Sequence, residues 1–115
     1  MTTHELINNS ERYIMGTYSR LPVVLVKGEG AYVWDSDGKR YLDFLAGIAV
    51  CALGHSNPLV SEAISKQAGT LMHVSNIYHI EPQIRLAGLL VENSFADKVF
   101  FCNSGAEANE AAIKL

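Results

Sequence analysis

The spacing of apolar residues changes along this chain, and each change predicts an element. Residues 1–20 are polar with scattered aromatics and read as an arm carrying one short helix over Thr3–Tyr13. From Leu21 the apolar positions crowd together. The segment PVVLVKGEGAYVWDSDGKRYLDFLAG holds three runs rich in Val, Tyr, Trp, Leu and Phe, separated by KGEG and DSDG. Gly, Asp and Ser supply the backbone conformations that hairpins need, so the segment predicts an antiparallel three-stranded meander. After LGHSNP the period becomes helical. Asn57 is placed to cap, Pro58 stands at the first helical position, and Val60, Ala63, Ile64, Ala68 and Leu71 recur on one side, predicting a helix to about Thr70.

A loop, HVSNIYHIE, follows. Pro82 then opens a second helix whose Ile84, Leu86, Ala87, Leu89, Leu90 and Val91 leave little polar surface, so it is expected to be buried on most sides. Lys98–Cys102 reads as a short, almost wholly apolar strand of the kind buried in a parallel sheet. Ser104 stands where an N-cap belongs, with Glu107 three residues later to complete a capping box. Ala108, Ala111, Ala112 and Leu115 mark one apolar stripe of the helix that starts there.

That last corner carries the candidate chemistry. A helix N-terminus offers unpaired amides and the positive end of the helix dipole, and Gly105 and Ala106 are small enough to let an anion reach the backbone. Local pattern alone leaves two readings open, a phosphate seat and an ordinary capped helix. Two other phosphate motifs are absent: there is no GxxxxGK[ST], and the GEG at Gly28–Gly30 leads into alternating strand residues, so it is a hairpin turn and not a dinucleotide loop.

Composition narrows the classes. At 115 residues, 49% hydrophobic and 18% charged, with a net charge of −3, the chain has the make-up of an ordinary globular protein without a basic face for nucleic acid. No apolar stretch approaches the roughly 20 residues of a membrane span, and MTTHELINNSERYIM lacks the basic start and apolar core of a signal peptide, so a cytoplasmic location is expected. Cys51 and Cys102 lie far apart without CxxC spacing and read as buried free thiols. His4, His55, His73 and His79 show no ligand spacing, so no metal is assigned.

The successive stretches YSRLPVVLVKGEGAYVWDSDGKRYLDFLAGIAV, LGHSNP and FFCNSGAEANEAAIKL closely resemble, in matching order, the N-terminal part of class III aminotransferases of the acetylornithine type. These are pyridoxal-phosphate enzymes of fold type I. The resemblance implies an α/β fold: an N-terminal arm over 1–20, part of a small domain over 21–72 holding the meander and the following helix, and the start of the large cofactor domain over 73–115, with its first strand and helix. It implies a homodimer that moves an amino group between N-acetylornithine and 2-oxoglutarate in arginine biosynthesis. Ser104, Gly105 and Ala106 match the family turn that holds the cofactor phosphate. Tyr18 matches an aromatic position that helps recognise substrate in ornithine-type relatives, and Ile48 a position facing substrate there. Cys51 stands where the family more usually has Asn, and Ser75 and Asn76 fall in a loop that runs near the dimer interface and the neighbouring active site.

Transamination also needs a Schiff-base lysine and an acid for the pyridine nitrogen, which in the family come from downstream. The lysines present do not serve. Lys27, Lys39 and Lys98 flank strands or turns and Lys66 lies among polar helix residues. Lys114 is nine residues past Gly105, about 14 Å along the helix and pointing away from its phosphate end. No catalytic residue is therefore expected in these 115 residues, which read as the first part of a larger enzyme. Relatives acting on succinylornithine, ornithine or GABA remain alternatives, as does a small non-catalytic module that binds a phosphorylated ligand.

Overall fold

A computed structural model describes residues 1–115, which divide into two compact units, Met1–Met72 and His73–Leu115. In the first unit, α1 (Thr3–Tyr13) starts at a capping box: Thr2 Oγ1 accepts from the Glu5 amide at 3.2 Å, and the Thr2 amide donates to Glu5 Oε2 at 2.7 Å. Its first residue reaches across the chain, with Thr3 Oγ1 2.7 Å from both Ser36 Oγ and Asp37 Oδ1. The amphipathic start of the arm is thereby tied to a turn of the sheet.

The meander is β1 (Leu25–Glu29), β2 (Tyr32–Asp35) and β3 (Arg40–Leu42), antiparallel and in sequence order. Glu29 pairs with Tyr32, so the reversal is Gly30–Ala31 alone, with Gly30 in the left-handed region at φ +56°. Lys27–Glu29, expected within the turn, are strand residues. Gly28 sits inside β1 because His55 lies where a side chain would go: a Cβ there would come within 2.7 Å of the His55 Cβ. A bulge separates Leu25 from Lys27.

Alternation along β2 sorts its side chains by face. Tyr32 and Trp34 lie under Arg40 and Lys27, whose charged ends stand 4.6 and 4.5 Å from the ring centroids. Val33 and Asp35 point the other way and are the buried residues of the chain, 7% and 8% exposed. Asp35 organises the DSDG turn. One of its oxygens accepts from the Asp37 and Lys39 amides at 3.0 and 2.8 Å and the other from the Tyr41 hydroxyl at 2.6 Å. These bonds, that from Tyr41 foremost, hold the Asp35 carboxyl below the usual carboxylate range.

After β3 comes α2 (Ala46–Ala49), one turn of unusual hand, and then α3 (Pro58–Thr70). Asn57 caps α3 through Oδ1 to the Leu59 and Val60 amides, with Pro58 at the first position, as the sequence predicts. The second unit contains α4 (Glu81–Glu92) and α5 (Gly105–Lys114).

Four expectations need correction. The predicted strand Lys98–Cys102 forms no ladder, because no other segment offers it a strand edge and an extended backbone is a strand only when paired. α4 begins one residue earlier than expected, at Glu81, and carries no buried residue: Ile84, Leu86, Leu89 and Leu90 are all exposed. Its apolar sequence states what the helix is suited to bury, while burial itself needs an opposing layer, and within its unit α4 has none. Neither thiol is buried, since Cys51 is half-exposed and Cys102 exposed, both lacking the cover that their residue type led us to expect.

Candidate functional site

The corner at Asn103–Ala106 is built from a short polar side chain at the cap and two residues with almost no side chain after it. Ser104 adopts extended backbone angles and its Oγ accepts from the Glu107 amide at 3.2 Å. Glu107 answers, but to a different donor from the one a capping box uses. Its Oε2 accepts from the Asn103 amide at 2.8 Å and from the Ser104 hydroxyl at 3.2 Å. The Ser104 side chain is thus occupied at both lone pair and proton. The amides of Gly105 and Ala106 have no acceptor in the chain, as the first turn of a helix leaves them. Beyond its chain neighbours and the backbone of its own helix, no atom lies within 4 Å of the place a Gly105 Cβ would occupy, and Gly105 does not adopt a positive φ. Two free amides, a dipole end and open space can take an anion through backbone groups alone.

In the first unit the loop 43–56 contains a run of residues in the left-handed region. Ala46, Gly47, Ile48 and Ala49 have φ of 48°, 63°, 58° and 64°. Only glycine takes that conformation freely, and each of the others meets a cost of about 1–2 kcal/mol. For β-branched Ile48 the geometry is a true outlier. Ile48 is 91% exposed, pushed outward from this turn.

The loop closes on itself through a pair that the sequence did not reveal. His55 Nε2 lies 2.7 Å from Asp43 Oδ2, the two side chains being 22% and 15% exposed. Asp43 Oδ1 accepts from the Leu45 and Ala46 amides at 2.8 and 3.0 Å. The hydrogen bond from His55, then those from Leu45 and Ala46, hold the Asp43 carboxyl below its ordinary value of 3.8. A carboxyl depressed in the folded state stabilises that state above its unfolded pKa and loses the contribution as pH falls through the folded one. The stability advantage of the protein over its Asp43→Asn variant is therefore expected to shrink as pH drops through and below 3.8. Urea midpoints of the two measured along that range check it, and a constant difference would refute it.

Local spacing could not find this pair, because twelve residues separate its members and only loop closure joins them. Nearby, Gly30, Asp43, Cys51, Gly54 and His55 line a cavity of about 220 Å³. Tyr18 lies elsewhere in the same unit, exposed on a groove of about 640 Å³ between the face of α1 bearing Leu6 and Ile7 and the segment Tyr18–Val24. Ile48 lines neither. Ser75, at φ +67°, and Asn76 lie in the loop before α4 in the second unit.

The model of the family described as aminotransferase class-III matches residues 13–115. The chain belongs to the class-III aminotransferases. Among curated class-III aminotransferases it is 62% identical over 110 residues to an acetylornithine aminotransferase of Caldanaerobacter subterraneus subsp. tengcongensis, an alignment that takes in 96% of this chain and 28% of that one. Solved relatives share its fold. An acetylornithine aminotransferase from Elizabethkingia anophelis superimposes with a TM-score of 0.94 at 37% identity, over 99% of this chain and 30% of its own. A taurine:2-oxoglutarate aminotransferase from Bifidobacterium kashiwanohense, in complex with PLP and glutamate, gives 0.86 at 36%, over 99% and 27%. The chain thus has the fold of fold type I aminotransferases and spans between about a quarter and a third of the length of these relatives. No helix is long and apolar enough to cross a membrane.

Proposed function

We propose that residues 1–115 are the N-terminal part of a pyridoxal-phosphate aminotransferase that moves an amino group between N-acetylornithine and 2-oxoglutarate, serving arginine biosynthesis as a cytoplasmic homodimer. The observation that carries the proposal is the 62% identity to an acetylornithine aminotransferase over nearly the whole chain. In this reading residues 1–20 are the arm, 21–72 part of the small domain and 73–115 the start of the cofactor domain. The division of the chain after Met72 supports that boundary.

The free amides of Gly105 and Ala106 fit the phosphate of the cofactor, and Ser104 shapes the turn that presents them. The bound cofactor supplies the electron sink that lets an amino group leave one carbon skeleton and join another. The residues of this chain bind and orient. Amides at the α5 N-terminus fix the phosphate end through charge-assisted bonds, and Glu107, engaged with Asn103 and Ser104, keeps the corner in shape. Tyr18 and Ile48 would meet the substrate.

Ile48→Tyr in the full-length enzyme is expected to change the ratio of kcat/KM for N-acetylornithine and ornithine by about tenfold, the weight of one side-chain interaction with the substrate, with little change in Tm. Ile48 is exposed within residues 1–115 and takes no part in their packing. Tyrosine, unbranched at Cβ, also meets no greater backbone penalty than isoleucine. Equal falls for both donors with a lower Tm would return Ile48 to a packing role.

A further inference from the structure

The loop 43–56 contains a closed ring of interactions to which the reading above gives no task. We propose that Asp43 and His55 are positioning residues, a clasp that holds the Ala46–Ala49 turn in its left-handed form and so fixes where Ile48 stands. The proposal rests on the reading that Ile48 faces the substrate.

The two oxygens of Asp43 have separate jobs. Oδ1 takes the amides of Leu45, still right-handed at φ −91°, and of Ala46, the first residue at positive φ. Oδ2 takes Nε2–H of His55, since an ionised carboxylate only accepts. His55 is itself fixed: its amide donates to the Gly30 carbonyl at 2.8 Å and its carbonyl accepts from the Gly30 amide at 3.0 Å. Its side chain rests against Gly28, where no Cβ intervenes, and the next residue, Ser56, donates through Oγ to the Gly28 carbonyl at 2.8 Å. Gly54, at φ +89°, passes so near Gly30 that a Cβ would stand 3.1 Å from the Gly30 Cα. One end of the loop is therefore anchored on β1 and the β1–β2 turn, and the Asp43 carboxylate passes that anchorage to the other end.

The backbone bonds within the turn itself are local, from the Ala49 amide to Leu45 O at 2.9 Å and from the Val50 and Cys51 amides to Ala46 O, the latter at 2.8 Å. Strained backbone persists where its surroundings over-determine it. Here the surroundings are the clasp. Its removal frees the turn to relax toward right-handed angles, which carries the Ile48 side chain to another direction.

The test uses the full-length enzyme with cofactor bound. Asp43→Ala is expected to speed hydrogen exchange at the Ala49 and Cys51 amides about tenfold or more, the weight of one charge-assisted bond, while the amides of β2 keep their wild-type rates. It is also expected to shift the N-acetylornithine to ornithine ratio of kcat/KM about threefold or more, and less than additively when combined with Ile48→Ala. If Asp43→Ala does not accumulate, Asp43→Asn and His55→Gln carry the same comparison, each keeping a hydrogen-bonding group in place. Wild-type exchange at Ala49 and Cys51 overturns the clasp. So does a wild-type donor ratio in the Asp43 variants when Ile48→Ala has moved it. A ratio that Ile48→Ala leaves unmoved overturns the substrate reading of Ile48, and this proposal with it.

Discussion

Gly105→Val in the full-length enzyme is expected to weaken pyridoxal-phosphate binding by about tenfold or more for each amide hydrogen bond it removes, while the apo-enzyme melts close to wild type. A charge-assisted hydrogen bond contributes about 1.5–3 kcal/mol, and each 1.4 kcal/mol is about a factor of ten in affinity. The cost of valine to the helix is smaller, well under about 1 kcal/mol relative to alanine. No positive φ adds to it, and outside its chain neighbours and its own helix no atom lies within 4 Å of the Cβ that valine would add. The space that makes valine harmless to the fold is the space the phosphate would need. Cofactor affinity by titration beside apo-enzyme Tm is the measurement, and unchanged affinity would reduce SGAE to an ordinary cap.

Residues 1–115 alone are expected to have no transaminase activity and no Schiff-base lysine. Such a lysine needs an amine free to meet the cofactor aldehyde in an apolar enclosure, and three of those present are engaged by other partners. Lys27 lies 3.1 Å from Glu29 and over Trp34, Lys39 lies over Tyr41 at 4.9 Å, and Lys114 is 3.1 Å from Glu110. Lys66 and Lys98 are exposed, and neither stands in the apolar enclosure that activates such a lysine. Incubation with pyridoxal phosphate, reduction with borohydride and digestion should give weak labelling spread over several lysines. One stoichiometrically labelled peptide would refute the claim.

What the sequence made legible was whatever neighbouring residues decide. Asn57 with Pro58, and Ser104 with Glu107, announce helix starts because a cap is a bond between residues two or three apart, whereas the Thr2–Glu5 capping box emerged only with the structure. The meander was readable because Gly30 and the Asp35 turn punctuate it. Burial was not. The apolar faces of α3, α4 and α5 record a preference for cover, and a single chain pattern says nothing of what provides it. The unpaired Lys98–Cys102 segment differs from expectation for the same reason, as a strand is a relation between two segments.

The candidate site divides along the same line. The Ser104–Ala106 corner could be read locally as an anion seat or a plain cap, and family resemblance was needed to choose between them. Asp43 and His55 gave no signal, because their meeting depends on a loop folding back. The left-handed turn was equally hidden: Ala-Gly-Ile-Ala has three residues that avoid such angles, and the turn forms against its own propensity.

That opposition reorders the substitutions this turn will accept. In a randomised library, positions on a helix normally rank alanine high and glycine low. At Ala46, Ile48 and Ala49 the order inverts, since glycine and asparagine relieve the backbone that alanine and isoleucine resist. Selection for stability alone would therefore drift toward small flexible residues here and would erase the side chain at 48. Under the proposed role of Ile48, a screen that seeks new donor preference has to be read by donor preference, because thermal robustness would enrich for its loss.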